Sequence, residues 1–287
     1  MRDRIHRREA LILLGGLAVA APVVATGVAA AGTTDETATA DRTATADEFA
    51  TAGQGEALAA QAYTQRWSAD PATDGLKAFV GIEDDRSDSH PGVQHIFAEA
   101  TQYRFVMHKR DRDGDDRQRQ EVRGIVENGT RVDMHKNQTW RYNYQMYIPS
   151  SLKGTTSFTH IFQVKQNGVA DPLVTMSLTR SGSTEKIEMR MYPAGGIKVG
   201  TVNLASLKNK WIDVEIEIKV ADGSAGKLRY SLKDGSTTVV NASHSGDTWI
   251  SGDQAHPKWG IYRSLSDSGQ LQDTYLLLRD MRAYQLV

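Results

Sequence analysis

"WIDVEIEIKV", residues 211 to 220, alternates strictly: Ile212, Val214, Ile216 and Ile218 fall at every second position, with Asp213, Glu215, Glu217 and Lys219 between them. Successive side chains of a strand point to opposite faces, so the aliphatic residues form a buried face and the charged ones a solvated face. A helix would scatter the same residues around its circumference. This stretch is therefore a strand of an antiparallel sheet with one wet face. The same period of two recurs outward from it, in "TWRYNYQMYI" (139–148), "LVTMSLTR" (173–180), "KIEMRMY" (186–192), "KLRYSLKD" (227–234) and "TYLLLRDMRAYQL" (274–286). "DRDGDD", "PAGG", "ADGSAG" and "KDGS" punctuate the strands with the residues that β-turns require. About a dozen short strands, with no internal repeat, predict an all-β fold: two packed antiparallel sheets, a β-sandwich or jelly roll with a concave groove on one sheet.

The chain has 287 residues, no cysteine and a formal net charge of −1. Disulfides, thiolate metal sites and cysteine nucleophiles are excluded, and the near-neutral balance argues against a nucleic-acid partner. Residues 1–31 combine a basic start, an apolar run from Ala10 and the small residues Ala29 and Ala31, as an export signal does. Arg7-Arg8 followed by Glu9-Ala10-Leu11-Ile12 resembles a bacterial twin-arginine signal. The run is rich in Ala and Gly, which favours a cleaved signal over a membrane anchor, so a secreted product is expected. Residues 32–67, rich in Thr, Ala and Asp, are expected to be a linker, and residues 68–287 a single domain.

Three strands have polar faces. "RQEVR" puts Arg119, Glu121 and Arg123 on one side, where Glu121 can hold both guanidinium groups. "SFTHIFQVKQ" (157–166) puts Thr159, Ile161, Gln163 and Lys165 on one side and His160 on the other. "KWGIYRS" (258–264) puts Lys258 and Tyr262 on one side of Gly260, where a bare backbone leaves room for a ligand. "RQEVR", "FQVKQ" and "KWGIYRS", in that order, resemble the three strand motifs of jelly-roll polysaccharide lyases. Alginate lyases show them as Arg-x-Glu-x-Arg, Gln-x-His and Lys-x-Gly-x-Tyr. The Lys-x-Gly-x-Tyr-Arg form, with "NKWIDVEIEIKV" upstream, is similar to the glucuronan lyase and heparin lyase I groups. Two positions depart from the pattern: Lys165 stands where the resemblance has histidine, and Ser264 where alginate lyases have glutamine.

The resemblance implies β-elimination on a uronate-containing polysaccharide. Such an enzyme neutralises the C6 carboxylate, removes the C5 proton and protonates the departing oxygen. It implies Arg123, Gln163 and Lys165 at the carboxylate and Tyr262 as base, acid or both, with Lys258 beside the tyrosine to hold or activate it. Arg119, Glu121, Lys258 and Arg263 are expected to contact substrate, as is Tyr144, which with Trp140, Tyr142 and Trp259 could stack on sugar rings. The expected partner is an acidic polysaccharide, and the protein a monomer without cofactor or metal. "DRDGDD" spaces Asp111, Asp113 and Asp115 as a calcium loop does, but its glycine comes early and Val122 holds the twelfth position, so it reads as a charged turn. Two other readings compete. A non-catalytic carbohydrate-binding module would rest on the aromatic residues, and a glycoside hydrolase on a carboxylate pair from Glu83, Asp84, Asp85 and Asp88.

Overall fold

The computed structural model describes residues 62–287; the expected export signal and most of the expected linker lie outside them. The described chain forms two eight-stranded antiparallel sheets, as the alternation predicts. Numbered in chain order, the first sheet runs β16 (Thr237–Ser245), β15 (Lys227–Asp234), β14 (Trp211–Lys219), β9 (Thr139–Tyr147), β18 (Thr274–Leu286), β4 (Tyr103–Met107) and β3 (Ile96–Ala98), with β1 (Tyr63–Ala69) also paired to β18. The second runs β13 (Ile197–Asn203), β12 (Thr184–Met191), β11 (Val174–Ser181), β10 (Thr159–Gln166), β17 (Gln254–Ser264), β5 (Arg117–Arg123) and β2 (Gly81–Glu83), with β8 (Met134–His135) also paired to β17. A separate hairpin joins β6 (Ile125–Glu127) to β7 (Thr130–Val132). No helix among the described residues is long and apolar enough to cross a membrane.

The reading of β14 holds residue by residue. Its four aliphatic side chains are buried, and the charged face is laced across strands: Gln145 donates to Asp213, Arg229 to Glu215 and Arg141 to Glu217. Strand β1 begins at Tyr63, five positions inside the expected linker, and Trp67 from it stacks on Trp259 at 5.7 Å. The domain therefore reaches back beyond its expected start at residue 68.

Two expected substrate contacts are corrected here. Tyr144 faces the space between the sheets, 4% exposed and edge-on to Trp259. Trp140, Tyr142 and Trp259 are equally buried, so all four aromatic residues offered for sugar stacking are core, where each contributes the burial of a large apolar surface. Arg263 shares the inward side of β17 with Trp259 and Ile261 and is 1% exposed. Its guanidinium donates to the Gln118 side chain at 2.5 Å and the Gln272 carbonyl at 3.0 Å, and burial pulls its pKa down to about 10. It is an internal strut.

Gly260 is also explained differently. Its φ is +136°, and a Cβ there would stand 2.1 Å from the Gln120 carbonyl oxygen of β5. The glycine is demanded by the neighbouring backbone, not by space for a sugar.

Candidate active-site groove

Strands β5, β17 and β10 lie side by side, and their register sets the site. Arg119 is opposite Tyr262, Glu121 opposite Gly260, and Arg123 opposite Lys258. Across the other edge of β17, Gln163 is opposite Lys258, Lys165 opposite His256, and His160 opposite Tyr262. Seven expected residues, Arg119, Glu121, Arg123, Gln163, Lys165, Lys258 and Tyr262, thus share the outer face of one sheet.

His160 joins them, against strict alternation. The ladders of β10 with both neighbours shift register between His160 and Phe162. This bulge at Ile161 resets the alternation, so His160 and Gln163 face the same way. The His160 Nδ1 lies 2.7 Å from Ser177 Oγ, whose hydroxyl donates to Thr175 Oγ1 at 3.2 Å. Nδ1 is then the protonated nitrogen and Nε2 the acceptor.

Glu121 is the centre of a buried clamp. It is fully buried; one carboxylate oxygen accepts from Lys258 Nζ and from Arg119 Nη1, both at 2.8 Å, and the other from the Gln163 amide at 2.7 Å. Burial raises its pKa, but the Lys258 and Arg119 charges outweigh burial and hold it below the usual carboxylate range. Lys258 also donates to Glu83 at 2.8 Å, and Arg119 to Asp113 at 2.8 Å. Lys258 and Glu121 are therefore corrected from substrate contacts to buried positioning groups. The lysine does not bond the tyrosine. Arg117, which sequence reasoning missed, donates to the Tyr262 hydroxyl at 3.2 Å, and the Arg119 guanidinium lies 3.8 Å above the Tyr262 ring. Arg123 pairs with Glu83 rather than with Glu121, at 3.7 Å, and keeps 40% of its side chain exposed. Lys165 donates to the Val169 and Ala170 carbonyls at 2.9 and 2.5 Å; burial, then the Lys258 and Arg119 charges, lower its pKa.

Two depressions open on this face. One is lined by Arg86, Arg119, Arg123, Lys165 and Lys258 with Glu83; the other by Arg180, Lys186, Arg190 and Lys198 with Glu188. Nine cations line the two depressions against Glu83 and Glu188; with Asp113, Glu121 and Asp267 paired to Arg119, Lys258 and Arg180, cations still outnumber carboxylates on this face of a chain of net charge −1. Tyr262 stands between its ladder neighbours Arg119, which lines the first, and His160, which lines the second. A depression on the other sheet's outer face is lined by Asn143, Gln145, Asp213, Glu215 and Arg229, whose polar groups are engaged with one another.

Three of the four carboxylates offered for a hydrolase are committed elsewhere, and the fourth, Asp88, is exposed on the loop after β2. Glu83 holds Lys258, Asp84 accepts from the His95 ring and backbone, and Asp85 caps Ser89 and His90. Among the described residues, the one group able to hold a metal ion is His90, His95, His108 and Asp111, outside the groove. The turn "DRDGDD" buries Asp111 and spends Asp113 on Arg86 and Arg119.

Burial, reinforced by nearby cations, pulls the pKa of His160 down to about 3 and that of His256 to about 4, from 6.5. Both are neutral in the fold, so as pH falls the unfolded chain takes up protons first. Stability is full above about pH 6.5 and falls below it by about 1.4 kcal/mol per pH unit for each histidine, down to the folded values. Urea midpoints between neutral pH and pH 4 check this; His160→Asn should flatten the slope, and an unchanged slope would refute the assignment.

A family model for polysaccharide lyases matches residues 32–280. Among solved structures, the endo-β-1,4-glucuronan lyase of the fungus Trichoderma reesei aligns with a TM-score of 0.52 at 12% identity, covering 77% of this chain and 95% of its own. An alginate lyase of polysaccharide lyase family 7 aligns at 0.48 and 14% identity, covering 70% and 86%. A Pseudomonas aeruginosa alginate lyase aligns at 0.46 and 14%, covering 67% and 86%. Among curated proteins, none matches the chain. The glucuronan lyase shares the two-sheet fold, and with a family match over most of its length this chain belongs to the polysaccharide lyase family.

Proposed function

We propose that the groove cleaves a uronate-containing polysaccharide by β-elimination, with Tyr262 as the proton-transfer group. The observation that carries this reading is Tyr262 itself, its hydroxyl bonded to Arg117 and its ring under Arg119, on the ladder between Arg119 of one cationic depression and His160 of the other. A polyanion laid along the face spans both depressions, with one uronate beside the tyrosine. Arg123, its side chain 40% exposed, and the half-buried Lys165 take the C6 carboxylate, and the Gln163 amide adds a donor. With the carboxylate neutralised, the C5–H is more acidic. Tyr262 takes that proton, the electron pair forms the C4=C5 double bond, and the C4–O bond breaks. The departing oxygen takes up the proton that Tyr262 carries. The tyrosine oxygen is negative before it takes the C5 proton and again after it gives that proton to the departing oxygen, and Arg117 stabilises it in both of those states. Action outside the cytoplasm is part of the proposal and rests on the twin-arginine pattern of residues 1–31.

The test is ultraviolet absorbance while the protein is incubated separately with glucuronan, alginate and heparin-like glycans. Elimination leaves a conjugated double bond and hydrolysis does not, so rising absorbance on one polymer supports the reading and identifies its substrate. New reducing ends without absorbance, or retention on a glycan with neither signal, would overturn it. On the responding polymer, Arg123→Ala and Lys165→Ala are expected each to raise KM about tenfold, with the wild-type KM rising steeply with salt. A KM unaffected by either substitution would move the carboxylate site elsewhere on the face.

A further inference from the structure

We propose that His90, His95, His108 and Asp111 form a closed site for one divalent transition-metal ion of the zinc class, joining the two sheets where the chain crosses between them. His90 and His95 lie on the connection from β2 to β3, and His108 and Asp111 on the connection from β4 to β5. Both connections pass from one sheet to the other. One ligand atom from each of the four residues lies within 4.8 Å of the other three.

The four groups stand close enough to share one ion. An ion with bonds of about 2.0–2.1 Å separates its ligand atoms by about 3.3 Å. His95 Nε2 and His108 Nδ1 stand 3.3 and 3.5 Å from Asp111 Oδ2, and His90 Nδ1 stands 3.0 Å from Asp111 Oδ1. Three imidazoles and a carboxylate suit zinc, and four protein ligands leave no open position, so the role is structural.

A second observation points to a cation. His95 is fully buried, and its Nδ1 lies 2.7 Å from Asp84 Oδ1, the carboxylate–histidine arrangement that orients metal-binding imidazoles. With the Nδ1 proton donated to Asp84, the His95 Nε2 lone pair faces Asp111 with no hydrogen-bond partner, and the buried Nδ1 of His108 is equally unpartnered. A metal ion between them satisfies both nitrogens and the carboxylate together. The ligands are also held from behind: Asp85 accepts from the His90 backbone at 2.7 Å, Asp84 from the His95 backbone at 3.0 Å, and Asp111 from the His108 backbone at 2.7 Å. Glu83, the last residue of β2, and Asp113, on the connection from β4 to β5, hold Lys258 and Arg119 in the groove.

The test uses the full chain, stripped with a chelator and titrated with Co(II) alone. Expected is uptake of one equivalent with the visible absorption of a tetrahedral site, its displacement by Zn(II), and a rise in Tm of roughly 5 °C at a hundredfold excess over Kd. His95→Gln and His108→Gln should each weaken binding at least about a hundredfold. Asp84→Asn, which leaves all four ligands in place, should weaken it about ten- to a hundredfold and serves if the histidine variants do not fold. No saturable Co(II) uptake by the stripped wild-type chain, or equal uptake by wild type and His95→Gln, would overturn the proposal. A lyase that works equally well without metal would leave the groove reading intact, so the two can fail separately.

Discussion

Tyr262→Phe is expected to lower kcat for elimination about a thousandfold, within the range that a positioned acid–base group supplies, with KM changed by less than about twofold. The variant loses one oxygen and little else. The ring keeps its place beside Phe158, 4.9 Å between centroids, and beneath the Arg119 guanidinium. Arg117 loses its bond to the hydroxyl but remains half exposed and paired with Asp116, so no buried charge is orphaned. Melting temperature should therefore stay within a degree or two of wild type. Steady-state absorbance on the responding polymer separates the outcomes: a lost kcat with retained binding assigns proton transfer to Tyr262. A variant keeping most of its kcat would move that role to His160, which faces Tyr262 across the ladder and keeps Nε2 as an acceptor.

The fold was legible because burial of one face imposes a period of two, and β14 displays it without interruption. The three polar strands were legible for a related reason: an ordered row of charges on an alternating strand is a face, and the register brings those faces together. What failed has three physical causes. A bulge is a single residue, so an uninterrupted period of two carries His160 to the wrong side; its nearest signal was the isolated glycine at 260 on the partner strand. Burial of charge depends on partners distant in sequence: Lys258 looks like a groove lysine until Glu83 and Glu121 close on it. Alternation also assigns a face but not a sheet. Trp140, Tyr142 and Tyr144 do share one face, and that face packs on β10 and β17 instead of meeting a sugar. Arg263 was readable, since parity already placed it with Trp259. The histidine–aspartate cluster was not, because its four residues come from two connections with no recurrent spacing between them.

Glu121→Leu is expected to destabilise the domain by about 3–5 kcal/mol, a fall in Tm of about 10 °C for a domain of this size. The Glu121 carboxylate is fully buried and carries three donors, Lys258, Arg119 and Gln163. Leucine fills the volume but leaves the Lys258 ammonium, 5% exposed, with Glu83 alone, and Arg119 with Asp113 and a distant Glu83. An under-compensated buried charge costs far more than the intact pair contributes, because desolvation of the cation is no longer offset. The pH dependence has a definite sign. The folded carboxyl is held below its unfolded value, so its contribution is present above the unfolded value and lost as pH falls through the folded one; the variant should lack that acid-range component. Adding Lys258→Met to Glu121→Leu removes the orphaned ammonium and should recover more than half of the lost stability, read as the coupling in a double-mutant cycle of urea midpoints. Strictly additive losses would mean that the two groups do not act as a pair. Activity in the recovered double variant should remain well below wild type, since the rescue restores packing but not the carboxylate that orients Arg119 over the Tyr262 ring and holds Gln163 in place. That separation of stability from kcat is the signature of a positioning group, and it distinguishes the clamp from a purely structural ion pair.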